Sequence, residues 1–156
     1  MGGLLALELL EKHQDIKAGC LMAPALIYKQ KSNYLAPLVL PFKKHIPWST
    51  TFQLDEAGKA ILDVGYHATS VHAAIELNKL QHMVRADLCK ITSPIIVFQS
   101  KADTMVSPKT ENYLLKKVKS AKKVGYMYEK TSHVISLDSD KQITFERTID
   151  FFASVK

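Results

Sequence analysis

Residues 93–155 alternate between short apolar stretches and helical patterns, and this alternation restricts the fold more than any other feature of the sequence. The β-branched stretch SPIIVFQS (93–100) precedes a helical pattern over 107–120, and the less regular KKVGYMYEK (122–130) precedes a second one over 138–155. Strands that alternate with helices in this way form parallel sheets through right-handed crossovers. The sequence therefore predicts an α/β domain with a parallel sheet.

Both helical patterns carry signals for where a helix starts. Ser107 is expected as the N-cap of the first helix, with Pro108 at its first helical position. The second helix opens with acidic residues, which suit the positive end of a helix dipole. Its large apolar side chains fall mostly on one face, formed by Ile143, Phe145, Ile149, Phe152 and Val155.

The N-terminal residues predict a further helix and a further strand. GGLLALELLEKH (2–13) is apolar around most of its first two turns, which is typical of a largely buried helix. KAGCLMAPAL (17–26) is a short apolar run interrupted by Pro24, and it indicates a buried strand. Because a helix flanks this strand, we expect it to join the same parallel sheet.

The character of the sequence changes between residues 26 and 86. Prolines mixed with aromatic residues and lysines come first, and helical patterns follow that break near Gly65 and resume at about Thr69–Val84. No strand is expected in this part. We therefore predict that residues 1–25 and 87–156 form the α/β core, and that 26–86 is a helical insertion between two of its strands.

Two polar residues follow the last two predicted strands, where each strand ends. Asp103 comes after the strand of residues 93–100, and His133 comes after the strand of residues 122–130. The carboxyl ends of neighbouring parallel strands lie at one edge of a sheet, about 4.8 Å apart, so the carboxylate and the imidazole are expected to meet. Hydrolytic triads of α/β-hydrolases have the chain order serine, acid, histidine. The aspartate orients the imidazole, which transfers the proton of the serine.

The serine of such a triad is not found in the sequence. No G-x-S-x-G motif occurs anywhere in the chain, but Met1 and Gly2 fit the x-G that follows the serine in this motif. Gly3 and the LLALELL that follows fit the helix behind the nucleophile. We therefore expect the nucleophile immediately upstream of Met1, and we expect the chain to be inactive by itself.

The sequence resembles the second half of bacterial carboxylesterases of the α/β-hydrolase superfamily, close to the monoacylglycerol-lipase-like group. The segments SPIIVFQSKADTMVSP, YEKTSHVISLD and KQITFERTIDFF carry this resemblance. It implies that Asp103 and His133 are the acid and the base, and that the backbone N–H of Met1 is a donor of the oxyanion hole. It also implies that the helical insertion is a cap over an acyl pocket. Tyr28 and Trp48 are candidates to line that pocket, although packing within the insertion explains their aromatic rings about as well.

The resemblance implies hydrolysis of short- or medium-chain acyl esters, or of monoglycerides, with a small-molecule ester as the partner and without a metal or other cofactor. The alternative interpretation is a catalytically inactive half-domain. Its strand over residues 17–26 would then have an open edge, and exposed edges pair with other strands. On that interpretation we expect either pairing of the strand edge, as in a homodimer, or poor solubility.

Charge, hydropathy and cysteine content argue against other classes of function. The formal net charge is +6, but the lysine-rich run 114–123 lacks the aromatic residues and arginines that bind bases, so no nucleic-acid partner is expected. No apolar stretch approaches the roughly 18 residues that span a bilayer, so stable membrane insertion is not expected. Cys20 and Cys89 stand alone and far apart, which favours a reducing cytoplasm.

Overall fold

The computed structural model of the chain describes residues 1–47 and 68–155, which contain five strands and five α-helices. The strands are β1 (Gly19–Met22), β2 (His45–Pro47), β3 (Ala68–Ser70), β4 (Ile95–Ser100) and β5 (Lys123–Tyr128). The α-helices are α1 (Gly2–Lys12), α2 (Ala36–Val39), α3 (Val71–Asp87), α4 (Lys109–Lys117) and α5 (Lys141–Ala153). Short 3₁₀ helices cover Lys31–Leu35, Leu88–Lys90 and Ile135–Leu137.

A three-stranded sheet in the order β1-β4-β5 lies at the centre of this structure, and both of its strand pairs are parallel. Each connection between these strands contains a helix, because parallel neighbours need a crossover that returns the chain to the starting edge. The predicted α/β architecture with a parallel sheet is therefore confirmed.

A second, two-stranded sheet corrects the expectation that residues 26–86 contain no strand. β2 and β3 pair antiparallel, with Ile46 opposite Thr69. Each strand has only three residues, and Pro47 ends β2. Such short strands show no measurable alternation, and their pairing depends on contacts distant in sequence, so periodicity could not reveal them. The helical pattern before Gly65 lies outside the described residues.

Helix α1 runs antiparallel to β1 and packs closely against it. A Cβ atom added to Gly3 would lie 2.9 Å from the Cα atom of Pro24, just beyond the carboxyl end of β1. At the other end, a Cβ atom added to Gly19 would lie 2.7 Å from a methyl group of Leu10. The N-terminal end of α1 therefore lies at the carboxyl edge of the sheet.

Buried apolar side chains cover both faces of the sheet. On one face, α1, α3 and α4 contribute to a cluster that includes Leu4, Leu7, Leu10, Leu21, Val84, Leu88, Val97 and Leu114. On the other face, Phe151 of α5 packs in a cluster with Ile96, Phe98 and Tyr128. Full burial of one such side chain contributes about 1.5–3 kcal/mol, so these clusters fix the position of the strands.

The apolar face predicted for the last helix is not the face that packs on the sheet. In α5 the buried residues are Thr144 and Phe151, whereas Ile149 is 67% exposed. The two buried residues are seven apart and so lie on one side of a helix. A threonine faces the core here because its hydroxyl group has partners, the phenol of Tyr128 at 2.7 Å and the backbone oxygen of Asp140 at 2.8 Å.

The start signals of the two C-terminal helices are also corrected by the structure. Helix α4 begins at Lys109 with Pro108 as its N-cap residue, one position later than predicted, and the hydroxyl group of Ser107 lies 3.4 Å from the amide of Lys109. Helix α5 begins at Lys141, and the side chain of its N-cap residue Asp140 makes no capping hydrogen bond.

The close approach of α1 to Pro24 predicts opposite effects of the same substitution at two adjacent glycines. Gly3→Ala should lower the free energy of unfolding by about 1–2 kcal/mol, because backbone atoms must shift to admit the methyl group. Gly2→Ala is the matched control, since a Cβ atom there has nothing within 4 Å. It should stabilise the protein by up to about 1 kcal/mol, because alanine is the better helix former. Urea denaturation of both variants checks the prediction, and equal effects would contradict it.

Glu11 is an acidic side chain on the buried side of α1. One of its carboxylate oxygens is buried without a hydrogen-bond partner in the part of the chain that the structure describes. Burial, followed by the nearby carboxylates of Asp87 and Glu8, raises the pKa of Glu11 from 4.5 to about 7, against the opposing effect of Lys90 and Lys12. The folded protein therefore disfavours the charged form of Glu11.

This raised pKa predicts a loss of stability as the pH increases. Below pH 4.5 Glu11 is protonated in both the folded and the unfolded chain, so its burial does not place a charge in the folded protein. Above pH 7 it is charged in both, and the folded protein bears the full free-energy cost of a buried charge. Glu11→Gln should therefore raise the free energy of unfolding by about 1–2 kcal/mol at pH 8 and change it little at pH 4.5. Denaturation at both pH values measures this difference, with the exposed Glu146→Gln as control. A gain of equal size at both pH values would exclude charge as its cause.

Candidate active site

The pairing of β4 with β5 places Asp103 and His133 on adjoining loops. The last residue pair of the two strands is Ser100 opposite Tyr128, and the pairing extends one step further because the amide of Lys101 donates to the carbonyl of Tyr128 at 2.9 Å. Both loops therefore leave the sheet at the same point of its carboxyl edge. The structure brings the two residues together, as the sequence predicts.

Asp103 and His133 are joined by a hydrogen bond of 2.9 Å between the carboxylate Oδ2 and the imidazole Nδ1. The carboxylate has no exposed surface, whereas the imidazole side chain is 26% exposed. The other oxygen of Asp103, Oδ1, accepts hydrogen bonds from the backbone amides of Met105 at 2.7 Å and Val106 at 2.9 Å. The side-chain amide of Gln99 donates to Oδ2 at 3.1 Å. The carboxylate is therefore fixed by four hydrogen bonds.

These contacts decide which ring nitrogen of His133 carries the proton. Burial opposes the charge of Asp103, but His133 and the backbone amides of Val106 and Met105 outweigh it and hold the pKa of this carboxyl below its ordinary value. A charged carboxylate can only accept hydrogen bonds, so Nδ1 of His133 donates. In the neutral ring the other nitrogen, Nε2, then has a free lone pair. This is the state in which a histidine accepts a proton from a nucleophile.

Gln99 is a partner of the acid that the sequence did not predict. It is the fifth residue of β4, a strand whose residues are all buried, so alternation of exposed and buried positions gives no sign of it. The only signal was an amide within an otherwise apolar run. A buried amide needs a hydrogen-bonding partner, and the carboxylate of Asp103 supplies one.

Tyr28 lies close to the loop of Asp103 through its backbone. It forms an antiparallel bridge with Val106, and its ring lies 5.0 Å from that of Tyr34. Burial, followed by the neighbouring Tyr34, raises the pKa of Tyr28 to about 12. Its phenol is therefore neutral at ordinary pH, and a role in binding substrate stays a prediction. Trp48 lies outside the described residues.

Met1 lies at the N-terminal end of α1. Its carbonyl oxygen accepts hydrogen bonds from the amides of Leu4 at 2.9 Å and Leu5 at 3.3 Å, which form the first turn of the helix. Because α1 is antiparallel to β1, Met1 is at the same edge of the sheet as Asp103 and His133. Its role as an oxyanion donor stays a prediction.

A cavity of about 370 Å³ lies beside the end of β5, but neither Asp103 nor His133 lines it. Its walls are formed by Met127, Tyr128, Glu129, Lys130, Ser139 and Asp140. The polar pair is therefore not part of this cavity, and we do not assign the substrate to it.

In residues 1–47 and 68–155, no hydroxyl or thiol group is hydrogen-bonded to the ring of His133. The same residues contain no cluster of three or more histidine, cysteine or acidic side chains that could hold a metal ion. None of the helices described is both long enough and apolar enough to cross a bilayer.

Comparison with known proteins shows which family the chain belongs to. The family model described as serine aminopeptidase, S33, matches residues 1–140 of the chain. The thermostable monoacylglycerol lipase of Bacillus sp. (strain H-257) is 25% identical over 158 residues, a match that covers 98% of this chain and 60% of that protein.

Solved structures show the same fold at lower sequence identity. A structure of the metagenome-derived lipolytic enzymes LipS and LipT matches with a TM-score of 0.85 and 20% identity, covering 98% of this chain and 62% of that one. A soluble variant of monoglyceride lipase from Saccharomyces cerevisiae matches with a TM-score of 0.80 and 18% identity, covering 99% of this chain and 62% of that one. The chain thus spans roughly three fifths of the length of the relatives it matches.

The resemblance inferred from the sequence is confirmed by these comparisons. The family model covers nearly the whole chain, and the parallel sheet with flanking helices is shared with the solved structures. The chain therefore belongs to the serine aminopeptidase S33 family of the α/β-hydrolase superfamily.

Proposed function

We propose that this chain is part of a carboxylesterase-type serine hydrolase that acts on short- or medium-chain acyl esters or on monoglycerides. Asp103 is the acid of its triad and His133 is the base. The observation that carries this proposal is the 2.9 Å hydrogen bond between the two side chains at the carboxyl edge of a parallel sheet. The lipase relatives support the choice of an ester as substrate.

The chemistry follows from the proton positions at this pair. Nε2 of His133 takes the proton of a serine hydroxyl as the serine oxygen attacks the ester carbonyl carbon, and it then gives that proton to the departing alcohol. In the second half, Nε2 takes a proton from water as the water oxygen attacks the acyl carbon; the bond from that carbon to the serine oxygen then breaks, and Nε2 gives the proton to the serine oxygen as the acid leaves. Asp103 remains charged throughout and stabilises the imidazolium.

The remaining parts of the site are assigned from the sequence pattern. The nucleophilic serine would belong to polypeptide that precedes Met1, and the backbone N–H of Met1 would then donate to the oxyanion of the tetrahedral intermediate. Residues 26–86 would form the cap over the acyl pocket. In its described part, α2 packs against α3, and Gln81 of α3 donates to the carbonyl of Ala25 at 2.6 Å, which anchors the insertion to the core. We assign the enzyme to the cytoplasm, and we assign it no cofactor.

The codons directly upstream of Met1 test the position of the nucleophile. If they encode G-x-S, the longer polypeptide should hydrolyse p-nitrophenyl butyrate, and a fluorophosphonate probe should label that serine. The 156-residue chain alone should remain unlabelled, because no nucleophile within its described residues contacts His133. Labelling of any serine within residues 1–156, or upstream codons without this motif, would contradict the assignment.

Substitution of the acid and the base tests their roles in the longer polypeptide. Asp103→Asn should lower kcat about 10⁴-fold, because the neutral amide no longer stabilises the imidazolium, and His133→Ala should lower it about 10⁶-fold. The exposed residues Asp150 and His13 offer matched controls. Asp150→Asn and His13→Ala should leave kcat within twofold of the unaltered protein. Retention of a tenth of the activity by Asp103→Asn would remove Asp103 from the triad.

A second candidate function is self-association through the edge of β1. In the described part of the chain β1 pairs only with β4, which leaves its other side without a strand. The hydroxyl of Thr148 in α5 lies 3.6 Å from the thiol of Cys20 in β1, so α5 lies against this strand, and the next residue of the helix, Ile149, is 67% exposed. Leu5 and Leu9 of α1 are also about half exposed. Apolar surface beside an unpaired strand favours pairing with a second copy.

Light scattering coupled to size-exclusion chromatography tests this second candidate. A chain that associates through the β1 edge should elute with the mass of a dimer at micromolar concentration. Ile149→Lys should shift it to the monomer, because a charge would be buried in the interface. Leu38→Lys is the matched control, since Leu38 is equally exposed but belongs to α2. An unaltered chain that remains a monomer would exclude this interface.

A further inference from the structure

The loop that carries His133 is held by a carboxylate that has no part in the triad. Asp138 is nearly fully buried, and its Oδ2 accepts a hydrogen bond of 2.6 Å from the backbone amide of Ser132, the residue directly before His133. Its Oδ1 accepts a second bond of 2.6 Å from the amide of Ser139. One carboxylate thus joins the two ends of a short turn around the histidine.

A second carboxylate fastens the preceding residue of the same loop. The hydroxyl group of Thr131, which is fully buried, donates to Oδ2 of Asp140. The backbone oxygen of Asp140 in turn accepts from the amide of Thr144 at 3.0 Å, within α5. Thr131 and Ser132 are therefore bound to the residues that lead into α5, and that helix is packed on the sheet through Phe151.

The hydrogen bonds keep Asp138 charged in spite of its burial. Burial alone would raise the pKa of Asp138, but the hydrogen bonds from Ser132 and Ser139 outweigh it and hold this pKa below its ordinary value. Hydrogen bonds to a charged acceptor are stronger than those to a neutral one. The contact between Asp138 and the Ser132 amide is therefore a strong restraint on the backbone next to His133.

From this geometry we infer that Asp138 is a positioning residue for His133. Its carboxylate fixes the peptide group of Ser132, and this fixes the direction in which the imidazole leaves the backbone. Nδ1 then reaches Oδ2 of Asp103, and Nε2 faces away from the acid. The catalytic use of this arrangement rests on the proposed function, but the positioning of the ring is a property of the chain itself.

Proton exchange at Nδ1 of His133 reports on this positioning without any need for activity. A proton held between an imidazole and a carboxylate resonates far downfield and exchanges slowly with water, and its loss in His133→Gln assigns the signal. In Asp138→Ala we expect the signal to vanish or its proton to exchange at least tenfold faster. In Asp138→Asn we expect a smaller increase, because the amide oxygen still accepts one of the two bonds. Asp150→Asn is the control and should leave the signal unchanged.

The outcomes separate this inference from the proposed function. If Asp138→Ala does not fold, as judged by circular dichroism, the exchange rate of the His133 Nδ1 proton in Asp138→Asn decides whether Asp138 has a positioning role. An exchange rate within twofold of the unaltered chain in the folded variant would overturn the positioning role. The absence of a downfield signal in the unaltered chain would overturn both the positioning role and the acid–base pair. A signal that depends on Asp138, in a longer polypeptide that does not hydrolyse esters, would support the positioning and contradict only the proposed function.

Kinetics of an active longer polypeptide give a second readout. Asp138→Asn should lower kcat about tenfold and leave KM within twofold, because a misdirected imidazole impairs proton transfer more than substrate binding. A variant that raises KM alone would place Asp138 in substrate binding and overturn the inference.

Discussion

Six consecutive residue pairs between β4 and β5 determine where the polar groups of the candidate site lie. The parallel pairing makes both strands end at one edge, so that an acid three residues past β4 meets an imidazole five residues past β5. The pairing is held by apolar contacts on both faces of the sheet, including the stacking of Phe98 on Tyr126 and Tyr128. The packed sheet therefore fixes the points at which the two loops leave it, and so fixes the distance between Asp103 and His133.

The buried charge of Asp103 explains most of the polar contacts around it. A carboxylate without access to water is stable only if its oxygens accept hydrogen bonds. Two backbone amides of its own loop, one side-chain amide and one imidazole provide them. Asp103 therefore organises its own loop and orients His133 at the same time, because Oδ1 accepts from the loop amides and Oδ2 accepts from the ring.

The parts of the fold that the sequence predicted are those with a strong local pattern. The β-branched run SPIIVFQS predicts a buried strand, and the loop positions of Asp103 and His133 follow from chain order. The sequence did not predict β2 and β3, because their pairing joins residues distant in sequence. It also did not predict the packing face of α5, because that face depends on the hydrogen-bond partner of the Thr144 hydroxyl group. From the sequence, Asp138 belongs to the acidic start of the last helix, where it suits the helix dipole. Its actual partner, the amide of Ser132, is visible only once the loop is folded.

The bridge from Asp138 back to Ser132 spans only six residues, and this has a consequence for how such a sequence can vary in length. An insertion or deletion between these residues would change the path of the turn, so that the carboxylate of Asp138 could no longer reach the amide of Ser132. In the described part of the connection between β1 and α3, residues 23–47 and 68–70, no residue is hydrogen-bonded to His133 or Asp138. Gain and loss of residues should therefore be tolerated better in that described part than in the turn.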